Sequence, residues 1–223
     1  GLAWLLKDMM RVLLVDCTFQ AGCSDLATAL DLPEYPHLKA FEYGGIAGAA
    51  VNVEPNLDAL QAPRNPKELV ELPQGILGRA ITAARTAYDA IICDLPNWGW
   101  MPDDRVWWVR EALENATTLV VVTVGEPAEQ IRLIMNLNML DIAGKELCIL
   151  CNKGSDALGL CFEAGVSREF RLPEDPDMPR KFTPGCRFRM TGPFMKTLAE
   201  VRDAMYESGA VQKGGILRRI FGR

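Results

Sequence analysis

Four stretches of the chain are apolar at almost every position and show no polar alternation: Arg11–Asp16, Ala90–Asp94, Thr117–Val124 and Glu146–Asn152. Runs of this kind suit strands buried on both faces of a parallel sheet. Between them, apolar residues recur at helical spacing. Leu2, Leu5, Leu6 and Met9 predict the last turns of a helix over Gly1–Met10, and Ser24 is placed to cap a short helix running to Leu32. Ile76, Leu77, Ala80, Ile81 and Ala84 give a helix over Pro73–Ala87 its buried face. Further helices are predicted over Asp103–Ala116, with Asp103 and Asp104 at its positive end, over Pro127–Ala143 and over Pro193–Ser208. Tyr35–Pro66 is richer in Gly, Pro and Asn, so Gly44, Gly45 and Gly48 predict a flexible connection there. Short strands are expected within Leu57–Pro63 and Phe170–Pro173. Strands alternating with helices and right-handed crossovers predict an α/β fold, a three-layer α/β/α sandwich around a mostly parallel sheet.

At 223 residues, the chain has the length of one sizeable α/β domain, expected over residues 1–208. A chain that opens in mid-helix and runs straight into a central strand implies an element upstream of Gly1. The net charge of −5 argues against a surface that binds nucleic acid throughout, yet the charge is uneven. From Arg180 onward, basic residues outnumber Glu200, Asp203 and Glu207, which leaves a cationic tail on an acidic body. The seven cysteines are odd in number, and Cys93, Cys148 and Cys151 fall inside apolar runs, as in proteins of a reducing cytosol. His37 is the only histidine, so a His-built metal site or a Ser-His triad is not expected. No apolar run approaches the ~20 residues a bilayer span needs.

Two of the buried runs end in a carboxylate, Asp16 and Asp94. Ligands of open α/β sheets bind beyond the carboxyl ends of the strands, so two such acids on parallel neighbours would share one rim and could reach a metal or a phosphate-bound water. The alternative is that each caps the helix that follows. Trp98, Trp100, Trp107 and Trp108 cluster after Asp94. Adjacent positions on a helix diverge, so one of Trp107 and Trp108 is expected at the surface, facing a partner.

Taken in order, RVLLVDCTFQAG, YDAIICDLPN, TTLVVVTVGEPAEQIR, ELCILCNKG and RLPEDPDMPRKF resemble successive segments of the ParA/MinD family of deviant P-loop ATPases, of the SIMIBI class. Within it, LQAPRNPKELVEL is closest to the TadZ/CpaE pilus-assembly branch. The resemblance implies ATP and Mg²⁺ as cofactors. It places Asp94 on the Mg²⁺ through water, Asn152 on the adenine edge, and Pro173, Glu174 and Asp175 along the base. It puts Asp16 at the switch I edge of the phosphate site, as one catalytic position, and Thr18 at the other, where the family carries the Asp that orients the attacking water. It also implies a homodimer in the cytoplasm.

Two departures limit the activity. No G-x-x-x-x-G-K-[ST] segment occurs, so the phosphate-cradling loop, which the family carries just before the helix that Gly1–Met10 finishes, is expected to be missing together with its strand. A threonine hydroxyl is also a poor proton acceptor near neutral pH, so hydrolysis should be weak or lost.

Residues 209–223 form a basic amphipathic tail. As a helix it would set Ile216, Leu217, Ile220 and Phe221 opposite Arg218, Arg219 and Arg223, the layout of an interfacial anchor and similar to the tail of MinD. The tail predicts peripheral membrane contact, and the family branch predicts partners in a pilus or secretion assembly. The alternatives are a partition ATPase holding DNA nonspecifically through its basic region, and a scaffold that keeps the fold without turnover.

Overall fold

The computed structural model describes residues 1–19, 24–96, 107–124, 126, 128, 131, 133–135, 137, 143–152, 167–175 and 192–207. They form two compact units, one holding the described residues up to Asn115 and the other those from Ala116 onward.

The first unit is built on a four-stranded sheet in the order β2-β3-β1-β4, where β1 is Val12–Asp16, β2 Val51–Glu54, β3 Leu57–Leu60 and β4 Ala90–Asp94. β1 runs parallel to both β3 and β4, and β2 is antiparallel to β3. Val12, Leu13 and Val15 are fully enclosed, as expected of a strand with neighbours on both sides. Among the described residues β4, like β2, is an end strand. The Ala90 N–H donates to the Arg11 carbonyl and the Asp94 carbonyl accepts from Cys17 N–H. Alternation therefore turns the peptide groups of Ile91 and Cys93 toward the other edge, where no strand pairs among the described residues.

The helices form where the sequence offers caps and an apolar face. α1, Leu2–Leu6, precedes β1, and Ser24 Oγ accepts from the Ala27 N–H at 3.0 Å and starts α2, Asp25–Ala29. Asn65 does the same for α4, Pro66–Val70, with Pro66 in the first turn. α5, Ile76–Ala84, buries the five residues named above in the main core, together with Leu13, Val15 and Ala112. Its amino end has no cap of its own. The Glu111 carboxylate, from α6 (Trp107–Asn115), accepts from the N–H groups of Gly75 and Gly78 instead.

The glycine-rich stretch corrects an expectation. Rather than a flexible connection, it contains a 3₁₀ turn at Leu38–Ala40 and the helix α3, Phe41–Ala49, kinked at Gly45 (φ 59°). Phe41, Ile46 and Ala49 pack on the main core, and that packing outweighs the poor helix propensity of glycine. The Trp107–Trp108 expectation is corrected as well: both indoles are half-buried and pack on the core beside one residue, Phe19. Trp98 and Trp100 lie outside the described residues.

The second unit is a parallel sheet in the order β5-β6-β7, with β5 Thr118–Thr123, β6 Glu146–Cys151 and β7 Arg168–Arg171. β6 is central and almost wholly buried, and β5 is an end strand whose Val122 is 59% exposed. A final helix, Pro193–Glu207, buries Met195, Leu198, Val201 and Ala204.

Candidate functional site

β1 and β4 run parallel in register from Val12 with Ala90 to Asp16 with Asp94, so the two acids stand side by side at the carboxyl ends of their strands. Their surroundings differ. Asp16 is 2% exposed, whereas Asp94 reaches solvent at the strand tip. Partial burial, and then the Asp16 carboxylate beside it, raise the pKa of Asp94 above the usual carboxylate range. Asp25, in the first turn of α2, adds a third negative charge. Asp25 escaped the sequence reading, although its place just after the Ser24 cap was the available signal.

Thr18 is held by Asp16. The Asp16 Oδ1 accepts from the Thr18 N–H at 3.0 Å and from its hydroxyl at 2.7 Å, a charge-assisted bond in a partly buried turn. With its only O–H given to Asp16, this hydroxyl can accept a hydrogen bond from a water but has no proton left to donate. Beneath the acids, the Cys17 and Cys93 thiols are neighbours. A hydrogen bond that the Cys17 thiol donates to Cys93, with burial, pushes the Cys17 pKa well up and keeps it an unreactive thiol.

Two adjacent carboxylates fit Mg²⁺, which keeps several waters and is commonly held by one or two carboxylates together with substrate phosphates. They would hold it at Asp94, with Asp16 adding charge behind. Among the described residues no three His, Cys, Asp or Glu side chains gather into a self-sufficient metal cage, so phosphate or water would have to complete the shell.

In the second unit, Asn152 leaves the end of β6, half-buried. The Leu172 N–H donates to the Cys151 carbonyl at 2.8 Å and fixes the start of Pro173–Asp175 beside it. Pro173 and Asp175 are half-buried, and Glu174 is exposed. A Cβ on Gly192, at φ 117°, would lie 3.8 Å from the Asp175 carboxylate, so the loop also meets the start of the final helix. Asn152 and Pro173–Asp175 thus share the carboxyl ends of two paired strands. Ile216, Leu217, Arg218, Arg219, Ile220 and Phe221 lie outside the described residues.

No protein-family model matches this sequence, and no curated protein matches it. Solved structures do. The septum site-determining protein MinD complexed with Mg-ADP from Pyrococcus horikoshii superposes with a TM-score of 0.74 at 15% identity, over 95% of this chain and 90% of that one. The Pyrococcus furiosus cell division ATPase MinD gives 0.75 at 16%, over 93% and 90%. A ParA family ATPase from Chlorobium tepidum gives 0.69 at 20%, over 90% and 88%. At these identities the likeness concerns the fold, and the chain has the mixed α/β fold of the ParA and MinD ATPases.

Proposed function

We propose that this protein is a ParA/MinD-like localisation or assembly factor that holds a Mg-nucleotide and turns it over weakly or not at all. The observation that carries this reading is the in-register Asp16–Asp94 pair at the carboxyl ends of two adjacent parallel strands. Asp94 would hold the Mg²⁺ through water, and Asn152 with Pro173, Glu174 and Asp175 would receive the base. Bound Mg²⁺ would supply charge neutralisation at the phosphates. Thr18, fastened to Asp16, would orient a water without taking its proton, which favours binding over hydrolysis. No G-x-x-x-x-G-K-[ST] segment lies in this sequence, and the edge of β4 at Ile91 and Cys93, unpaired among the described residues, is a place for a strand that would carry one.

Within this fold we assign the chain to the TadZ/CpaE type, acting as a homodimer that sits on the cytoplasmic membrane face through residues 216–221 and helps position a pilus or secretion apparatus. Thr18 supports a second reading, a scaffold that has lost turnover altogether.

Calorimetry with Mg-ATP is the test. Heat of binding that vanishes in Asp94→Asn and in Asn152→Ala, with phosphate release no faster than the buffer blank, is the expected result. Binding unaffected by both changes would overturn the site. Binding absent altogether would leave the scaffold, and release at a steady enzymatic rate that Asp94→Asn abolishes would overturn the assignment of Thr18.

A further inference from the structure

Phe19 follows Thr18 directly and adopts φ 44°, a left-handed conformation that bulky side chains avoid. Its ring is 6% exposed and lies stacked on Trp108, with centroids 4.9 Å apart and planes at 24°. It also meets Trp107 edge-on at 6.1 Å, and the two indoles cross each other at 5.6 Å and 86°. These are the offset and T-shaped geometries that aromatic rings prefer. Among the described residues the buried Trp108 Nε1–H has no acceptor, so this indole is placed for its ring contacts. Two unfavourable features, a left-handed Phe and that indole N–H, meet in one contact. Strain of this kind persists only where the surrounding packing imposes it.

The contact has a specific address. Phe19 lies on the segment that leaves Asp16, and Trp107 and Trp108 open the first helix described after Asp94. The triad therefore ties together the two exits from the carboxylate pair. With Phe19 clamped, Thr18 stays on Asp16, and one Asp16 oxygen stays committed to Thr18. We infer that Phe19 is a positioning residue for cation binding at Asp16 and Asp94, acting through Thr18, with the Trp107–Trp108 pair as its clamp.

This inference rests on the Mg²⁺ reading above, so two measurements separate their fates. Mn²⁺ binding followed by electron paramagnetic resonance reads the site. Phe19→Ala and Phe19→Leu should weaken Mn²⁺ by about ten- to a hundredfold, the usual cost of losing a residue that orients a metal ligand, while Phe19→Tyr restores it. Hydrogen exchange at the Thr18 amide reads the clamp without any metal. That amide is protected by Asp16, and Phe19→Leu and Trp108→Leu should each expose it while far-UV circular dichroism is retained. Unchanged Thr18 protection overturns the clamp. Unchanged Mn²⁺ affinity in a folded Phe19→Leu protein overturns the positioning role. Wild-type protein that takes up no more Mn²⁺ than Asp94→Asn sinks the cation reading and the positioning role with it, leaving the clamp to the exchange result.

Discussion

Asp16 and Asp94 are register partners on adjacent parallel strands, with the Asp94 carbonyl accepting from the Cys17 N–H at 2.9 Å, so their carboxylates are held on one rim by backbone pairing. Such a pair costs the fold something when both acids are charged. Burial and the Asp16 charge raise the Asp94 pKa, so the folded state binds protons more readily than the unfolded chain at this site. Its contribution to stability is therefore favourable below the ordinary carboxylate pKa and is lost as pH rises through the raised value. Asp94→Asn should stabilise the apo protein at neutral pH, by less than about 1 kcal/mol because the tip is solvent-screened, while abolishing Mg²⁺ binding. Urea midpoints with and without MgCl₂ check both parts. A variant less stable than wild type at neutral pH would show that Asp94 serves the fold instead.

Thr18 offers a sharper measure of the same turn. Its hydroxyl donates to a carboxylate that is 2% exposed, and removing it strands a buried acceptor. Thr18→Val should destabilise by about 1–3 kcal/mol, whereas Thr18→Ser, which keeps the donor, should change little. Equal unfolding curves for the two variants would mean that the Asp16 bond contributes nothing.

The strands, the burial of the α5 face and the Ser24 cap were legible because each is a local pattern: an apolar run, a 3.6-residue stripe, a Ser ahead of a helix. The Asp16–Asp94 neighbourhood followed from placing both at the ends of buried runs. The helix Phe41–Ala49 was not legible, because what holds it is contact between Phe41, Ile46 and Ala49 and a core assembled from distant segments. The Trp pair misled for a related reason. Divergence of adjacent helix positions is a rule about a helix alone, and Phe19, 88 residues earlier, presents one ring to both indoles. The Asn152 and Pro173–Asp175 positions came from family resemblance. Their shared strand ends in the second unit are a fact of β6–β7 register that no local pattern announced.

His37 supplies a pH dependence of opposite sign to Asp94. It is 1% exposed, its Nδ1 accepts from the Lys39 N–H at 3.3 Å, and its Nε2 lies 3.4 Å from Glu68. Protonation would place a hydrogen on the nitrogen that accepts. Burial lowers the His37 pKa below its ordinary 6.5, against the pull of Glu68. The unfolded chain therefore takes up this proton first, and stability should fall as pH drops below the ordinary value. Stability curves at about pH 7.5 and pH 5 should diverge less in His37→Asn, which keeps an acceptor near Lys39 but cannot titrate. An unchanged pH slope in that variant would assign the dependence to other groups.

Glu111 tests how the first unit is held together. Its carboxylate accepts from the N–H groups of Gly75 and Gly78, at the amino end of a helix that has no side-chain cap of its own. Negative charge there also complements the positive end of the helix dipole. Glu111→Ala should cost about 1–2 kcal/mol, as removal of a helix cap does, and Glu111→Gln should recover part of it. Hydrogen exchange should quicken at Gly75 and Gly78 before it does at Leu13 in β1. Simultaneous loosening of all three would mean that Glu111 acts globally.

The proposed surface anchor of residues 212–223 joins an apolar side to a basic one. Ile216, Leu217, Ile220 and Phe221 each stand to gain about 1.5–3 kcal/mol if fully buried, yet an interfacial helix buries its side chains only in part. Arg218, Arg219 and Arg223 add about 1 kcal/mol each near an anionic surface, a gain that salt erodes. One copy of so short a segment should therefore bind vesicles weakly, and two copies on one dimer should bind well beyond twofold better, because the second contact is intramolecular. A reporter carrying Gln212–Arg223 should sediment with phosphatidylserine vesicles when forced to dimerise and far less as a monomer. Phe221→Glu should release it in either form. Retention on DNA with no retention on vesicles would instead support the partition reading, and indifference to both would leave the tail without a surface role.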